Sequence, residues 1–310
     1  MKNFLAYLVL VFAGLFAATY FKKAHDGGKD GRPVVKVFAS SSFISQWGPG
    51  PWLKEQFEKS CDCRVEYQDS ADSMILIQRL RSEGRTGGAD VVFGFDQFDI
   101  ELAHQGLEWK KIKTDDVEFE DEIKGTLSRS NLIPYDWSVL SFVVRKPDFK
   151  DLPVNLDQLL QPELRGQIVI EDPRTSSPGL QFLLWLIQLR GEEKAFQYLR
   201  QLNKQLHSYA PSWSTAYGLF QKAQVKMVFS YVTSPIYQMI EDKNNDVVAL
   251  SLVEGQPMQL EYMGVPSTCK NCELGEKFVR MVLSKEGQKV IMEKNYMFPA
   301  IRGVKEGTLF

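Results

Sequence analysis

The sequence predicts an α/β fold, and three observations carry that prediction. Strand-like and helix-like runs alternate at short intervals from Val34 onward. The run ADVVFGF (Ala89–Phe95) is continuously apolar, the pattern of a strand buried on both faces of a parallel sheet. The chain has 310 residues, 44% hydrophobic and 25% charged, an ordinary globular composition with enough length for two lobes.

The elements follow in order. Val34–Ala39 reads as a strand and Pro51–Lys59 as a helix with Pro51 in its first turn. Arg64–Gln68 is a strand. Asp72–Glu83 is a helix, with Leu76, Ile77 and Leu80 at helical spacing and Gly84 at its end. After the strand at Ala89–Phe95 comes an acidic run, Asp115–Glu122, expected as a solvated face. Leu132–Arg145 alternates like a strand and is long enough to pass between lobes. Gln167–Pro173 is a strand, Ser177–Gly191 an apolar helix closed by Gly191, and Lys194–Leu202 another helix. Lys226–Ser234 is a strand leading into the helix Pro235–Asp242. Met258–Pro266 is a second crossing strand, and helices at Gly275–Leu283 and Lys285–Lys294 close the chain. The two crossing strands divide the molecule into a first lobe, 34–135 plus 262–310, and a second lobe, 136–261.

Before Val34 the chain begins MKNFLAYLVLVFAGLFAATYFKK. A lysine followed by an apolar stretch has the form of an export signal. Cleavage near Ala17–Ala18 and retention as an anchor ending at Phe21 are both compatible with it. Residues 1–33 are therefore an export segment plus a Gly-rich linker, and the rest of the chain is expected in the periplasm. Net charge is −2, so no basic excess advertises nucleic acid. The four cysteines form two close pairs, Cys61/Cys63 and Cys269/Cys272. In an exported protein they read as disulfides, with three connectivities open; a four-thiolate zinc site is the competing reading.

Open α/β sheets bind ligands beyond the carboxyl ends of their strands. Small hydroxyl residues, an acid or an aromatic ring follow each strand here. EDPRTSSPGLQ is the most chemical of these stretches. A strand ends and a hydroxyl-rich turn opens a helix, whose free N–H groups at Ser176, Ser177 and Gly179 can hold an anion; simple helix capping by Ser176 is the alternative. Gly179 would let a ligand approach the backbone. SWSTAYGLF and SYVTSPIYQM supply Trp213, Tyr217, Tyr231 and Tyr237, suited to a flat or cationic ligand or to plain core packing. The turn QWGPGPW places Trp47 and Trp52 around two glycines and two prolines, more aromatic surface than a connector needs. No GxSxG, HExxH or P-loop is present, and the three histidines sit in unremarkable settings, so no catalytic set emerges.

Taken together, WGPGP, the Cys-x-Cys pair, RLRSEG, ADVVFGFD, PYDW, DPRTSSPGL, WSTAYGLF, SYVTSPIY and NYMFP occur in one order from about residue 34 to 300. This combination resembles the periplasmic thiamine-binding proteins of bacterial ABC transporters, which have the type II periplasmic-binding-protein fold. The resemblance implies two lobes closing on thiamine, thiamine monophosphate or thiamine diphosphate. It implies delivery to an ABC permease in the inner membrane, a monomer, no cofactor, no metal and no enzymatic activity. It assigns the phosphate end to Ser176, Ser177 and Trp213, and adds Tyr231, Tyr237, Gly94, Asp96 and Trp47 to the cleft.

Two departures stand out. Ser40 and Ser41 occupy positions where the family commonly has an aromatic and an acid, and Tyr296 stands where it commonly has a tryptophan. Both changes shrink the aromatic and acidic surface offered to the ring end, so the phosphates are expected to bind more tightly than free thiamine. The alternatives are another small phosphorylated or cationic nutrient, a ferric-ion binder using tyrosinates, and a thiaminase-I-like enzyme. In the last case none of the four cysteines stands at a strand end in the second lobe.

Overall fold

The computed structural model describes residues 31–70, 73–126 and 130–310. The expected export segment lies outside them, except for its last residues. The described chain is mixed α/β, as the alternation predicts. Its strands are β1 (Val34–Ala39), β2 (Arg64–Asp69), β3 (Val91–Asp96), β4 (Ile133–Arg145), β5 (Ile168–Glu171), β6 (Leu206–Ala210), β7 (Met227–Tyr231), β8 (Val247–Ala249), β9 (Met258–Gly264) and β10 (Phe298–Pro299). Its α-helices are α1 (Ser41–Ile44), α2 (Gly50–Ser60), α3 (Ser73–Gly87), α4 (Ile100–His104), α5 (Ser177–Arg190), α6 (Glu192–Leu202), α7 (Trp213–Gln221), α8 (Ser234–Ile240), α9 (Cys272–Val282) and α10 (Lys285–Asn295).

The strands hydrogen-bond in the order β2-β1-β3-β9-β4-β7-β5-β6. β1 runs parallel to β2 and β3, and β5 runs parallel to β6 and β7. The antiparallel strands β9 and β4 join these two parallel blocks. β4 has 13 residues and serves both blocks. Ile133 to Val139 pair with β9, and Leu140 to Val144 pair with β7. The hydrophobic cores divide accordingly. One cluster gathers Val37, Phe93, Tyr135, Phe278 and Tyr262. Another gathers Phe142, Phe182, Trp185 and Phe229 on one face of the second block, and Val143, Tyr217 and Phe220 fill its other face. The first cluster reaches Trp137 and resumes at Leu260, whereas the second begins at Leu140 and ends at Leu252. The sequence boundaries 135/136 and 261/262 therefore fall inside β4 and β9, a few residues from where the packing changes over.

Local sequence explains the elements that frame the cleft. Ser40 caps the short α1, accepting from Phe43 N at 3.5 Å. The next turn then folds back on α1. A Cβ on Gly48 would lie 2.3 Å from Ser42 O, and one on Gly50 would lie 2.8 Å from Phe43 O. The two glycines of WGPGP therefore permit close packing. Pro51 sits in the first turn of α2, where its missing N–H costs nothing. Two expectations need correction. α3 does not end at Gly84 but runs on to Gly87. In the acidic run, Glu120 is buried and paired with Lys305 at 3.2 Å, because the C-terminal segment folds over it.

The cysteines pair with their near neighbours, Cys61 with Cys63 and Cys269 with Cys272. Each bridge closes a loop of only a few residues, so each contributes about 2 kcal/mol or less on a chain-entropy basis. The second loop also docks onto Asp90, whose carboxylate accepts from Lys36 N, Lys270 N and Asn271 N at 2.7–2.9 Å. Among the described residues no helix is long and apolar enough to cross a membrane.

Candidate functional site

A cavity of about 390 Å³ lies where the two blocks meet, with walls from both and a floor from β9. The first block contributes Ser40, Ser42 and Trp47 after β1, Ser73 at the start of α3, Gly94 on β3, Asn295 at the end of α10, and Tyr296 and Met297 after it. The second contributes Ser177 and Pro178 at the start of α5, and Ser212, Trp213 and Ser214 at the start of α7. It also supplies Tyr217, Tyr231, Ser234 and Tyr237. Gln259 and Glu261 reach up from β9.

Eight of the residues expected from sequence line this cavity: Ser40, Trp47, Gly94, Ser177, Trp213, Tyr231, Tyr237 and Tyr296. Ser41, Asp96 and Ser176 do not. The Ser41 hydroxyl donates instead to Asp69 at 2.7 Å. Asp96 is buried behind Gly94, where it accepts from the N–H groups of Phe98 and Asp99. Burial raises its carboxyl above the usual range, and those bonds oppose the rise. Ser176 is the N-cap residue of α5 in backbone terms, but its hydroxyl is buried and makes no capping bond. Gly179 also serves a different purpose from the expected one. A Cβ there would lie 2.5 Å from Glu171 O, so the glycine lets α5 pack against β5 rather than letting a ligand in.

The aromatic wall is held in place. Trp213 Nε1 donates to Ser230 Oγ at 2.9 Å, and the indole stacks on Tyr217 with centroids 5.1 Å apart and planes 15° apart. Tyr217 is buried, and burial pushes its phenol up. Tyr237 meets Tyr296 edge-on at 5.2 Å, and the Tyr296 hydroxyl donates to Glu241 at 3.0 Å. That bond joins the two blocks at the cavity mouth. A second link is the pair of hydroxyls of Ser73 and Ser177, 2.9 Å apart. Trp47 is half exposed at the rim, which answers the question posed by its turn: the glycines pack, and the indole faces the cleft. Gly94 has φ +99° beside the register shift between Phe93 and Phe95, a conformation that favours glycine.

The electrostatics are uneven. Among the described lining residues Glu261 is the only one with a carboxyl side chain, and none is Lys, Arg or His. Glu261 accepts from Tyr135 Oη at 2.5 Å and from Gln259 Nε2 at 3.1 Å. Gln259 also donates to Tyr231 Oη at 2.8 Å. The acidic surface of the cavity comes from β9 and not from the position of Ser41. Sequence reasoning missed Ser42, Ser73, Ser212, Gln259, Glu261 and Asn295. For Gln259 and Glu261 a signal was present: polar Gln259 and Glu261 alternate with apolar Leu260 and Tyr262 in a strand otherwise read only as a crossing.

Residues 52–309 match the family described as bacterial extracellular solute-binding protein. The chain belongs to that family. It is 36% identical over 273 residues to the thiamine-binding periplasmic protein of Brucella melitensis, covering 86% of this chain and 79% of that one. It is 33% identical over 301 residues to the thiamine-binding periplasmic protein of Salmonella typhimurium, covering 96% and 86%. Among solved structures it is similar to a periplasmic thiamin binding protein, with a TM-score of 0.82 and 32% identity over 91% of this chain and 89% of that one. Iron-bound HitA from Pseudomonas aeruginosa shares the fold at 21% identity and a TM-score of 0.71.

Proposed function

We propose that the protein captures thiamine, thiamine monophosphate or thiamine diphosphate outside the inner membrane and delivers it to an ABC import permease. The observation that carries this reading is the cavity itself. Among the described residues it offers fixed aromatic faces, hydroxyls at two helix starts and a single carboxyl group, and no cationic side chain. Thiamine is flat, aromatic and positively charged, and relatives at 33–36% identity over most of the chain are thiamine-binding periplasmic proteins.

In this reading the rings of Trp213, Tyr231, Tyr237, Tyr296 and Trp47 face the two heterocycles. A cation over a ring face contributes roughly 0.5–2 kcal/mol. Ser177 and the start of α7 face the phosphates. The α7 cap leaves the first N–H groups of that helix available, with Thr215 N satisfied by Ser212 Oγ. Phosphate recognition then uses neutral donors only. Export by the N-terminal segment, action as a monomer and absence of catalysis belong to the same reading.

Calorimetry with thiamine, its monophosphate and its diphosphate, followed by mass spectrometry of the bound material, tests it. Intact ligand at one per chain is the expected result. Cleaved thiamine would indicate an enzyme, and no binding of any of the three would overturn the assignment.

A further inference from the structure

Two carboxyl groups meet where β4 crosses β9. Asp136 and Glu261 are direct partners in the antiparallel register, so their side chains leave the same face of the sheet as neighbours. Asp136 is fully buried. Its Oδ2 accepts from Asn295 Nδ2 at 2.7 Å. Its Oδ1 receives no N–H or amide donor, and the group within hydrogen-bonding reach of the Asp136 carboxyl is that of Glu261. The other groups facing the pair are Tyr135 from β4, Gln259 from β9, Tyr231 from β7 and Asn295 from the end of α10. Among the described residues none of these groups is a cation. Two carboxylates this close do not both stay ionised unless a proton or another positive charge lies with them. Asp136 is sealed from solvent, but Glu261 opens onto the cavity, so the missing positive charge can arrive with a ligand.

We propose that Glu261, backed by Asp136, is the cation-recognising group of this cavity, and that the ligand's positive charge replaces a proton held between the two carboxyls. Capture is then an exchange, in which one cation enters and up to one proton leaves to solvent. This rests on the thiamine reading above for the identity of the cation. Burial pushes the Asp136 carboxyl well above the ordinary carboxylate range, and the neighbouring Glu261 charge pushes it further. A raised carboxyl keeps its proton in the empty protein, whereas a bound cation favours the ionised pair. Affinity should therefore rise with pH, by up to about tenfold per unit, between the pair's bound and empty titration ranges, and be flat outside them.

The test is calorimetry of thiamine binding in buffers of different ionisation heat, from about pH 5 to about pH 9. A neutral isostere with carbon in place of the thiazolium nitrogen serves as control. The expected results are a buffer-dependent enthalpy that reports proton release with thiamine and none with the isostere. Glu261→Gln should weaken thiamine by about tenfold to a hundredfold while moving the isostere little. Asp136→Asn should abolish the proton release. An enthalpy identical in all buffers with a flat pH profile would overturn the proposal. Equal loss of thiamine and isostere in Glu261→Gln would also overturn it, since that is the signature of a structural role. If thiamine does not bind at any pH, the thiamine reading fails. The acid pair is then judged alone, by infrared titration of the ligand-free wild-type protein. A protonated carboxylic-acid band persisting at neutral pH supports it, and absence of that band overturns it.

Discussion

The two ends of the cavity are built on different chemistry. The end formed by the starts of α5 and α7 is neutral: Ser177, Ser212 and Ser214 offer hydroxyls and backbone N–H groups beside Trp213. The floor on β9 is acidic, with Glu261 backed by a buried Asp136. The neutral end belongs to one lobe and is held by that lobe's own core. The acidic floor sits on the two strands shared by both lobes. A neutral wall selects by shape and donor placement, at roughly 0.5–1.5 kcal/mol per ordinary hydrogen bond, and somewhat more to a charged group. An acid with no cationic neighbour selects by charge.

The largest effect should come from breaking the core beneath the neutral end. Phe182 on α5 packs against Phe229 at 4.9 Å and Phe142 at 5.7 Å. Phe182→Ala should lower unfolding free energy by about 3–5 kcal/mol in denaturant titration. If the acid pair is independent of that core, the carboxyl titration of the folded variant stays where it was.

Next comes the wall common to all three ligands. Trp213→Ala removes an indole fixed by Ser230 and stacked on Tyr217. It should cost about 2–3 kcal/mol of binding, roughly 30- to 150-fold, for thiamine and both phosphates alike. A loss confined to the phosphates would place this ring at the anion end alone.

A matched pair separates ligand contact from lobe closure. Ser177→Ala should weaken the phosphates by about tenfold more than it weakens thiamine, because a hydrogen bond to a charged group contributes about 1.5–3 kcal/mol. Ser73→Ala removes the Ser73–Ser177 hydroxyl contact from the other side while leaving the Ser177 bond to Asp96, and should weaken all three equally and by less. Equal behaviour of the two variants would show that Ser177 acts only through closure. Ser176→Ala, whose hydroxyl is buried away from the cavity, should leave the order of the three ligands unchanged.

The smallest effect concerns the mouth. Tyr296→Phe keeps the ring against Tyr237 but loses the bond to Glu241, an interaction worth about 0.5–1.5 kcal/mol. Stopped-flow tryptophan fluorescence should show faster release by about two- to tenfold with capture nearly unchanged. A slower capture step instead would mean that the bond shapes the open form.

Much of this was readable from the chain. The strand at Val34–Ala39 has the bounds expected of it, and the helices at Ser177 and Lys285 differ from expectation by a residue. Period and punctuation were strong there: apolar runs bounded by Ser, Pro or Gly. β6 at Leu206–Ala210 was not read, since LHSYA alternates weakly and its edge position leaves half of it exposed. β8 has only three residues and exists because β4 offers it a partner.

Fold class, the order of the elements and the motifs that mark the cleft were legible along the chain, because periodicity and turn chemistry are local properties. Which neighbours within a motif line the cavity depends on packing between elements far apart in the chain. Ser176 and Ser177 are adjacent, chemically alike and both buried, yet the Ser176 hydroxyl lies in the wall without a hydrogen bond, whereas Ser177 lines the cavity with its hydroxyl held by Ser73 and Asp96. That choice depends on how α5 packs over β5 through Gly179, not on either serine. Likewise Asp136 and Glu261 are 125 positions apart, and no local pattern announces them as a pair. The register of two antiparallel strands brings them together, and burial then gives the two acids a property that neither has alone.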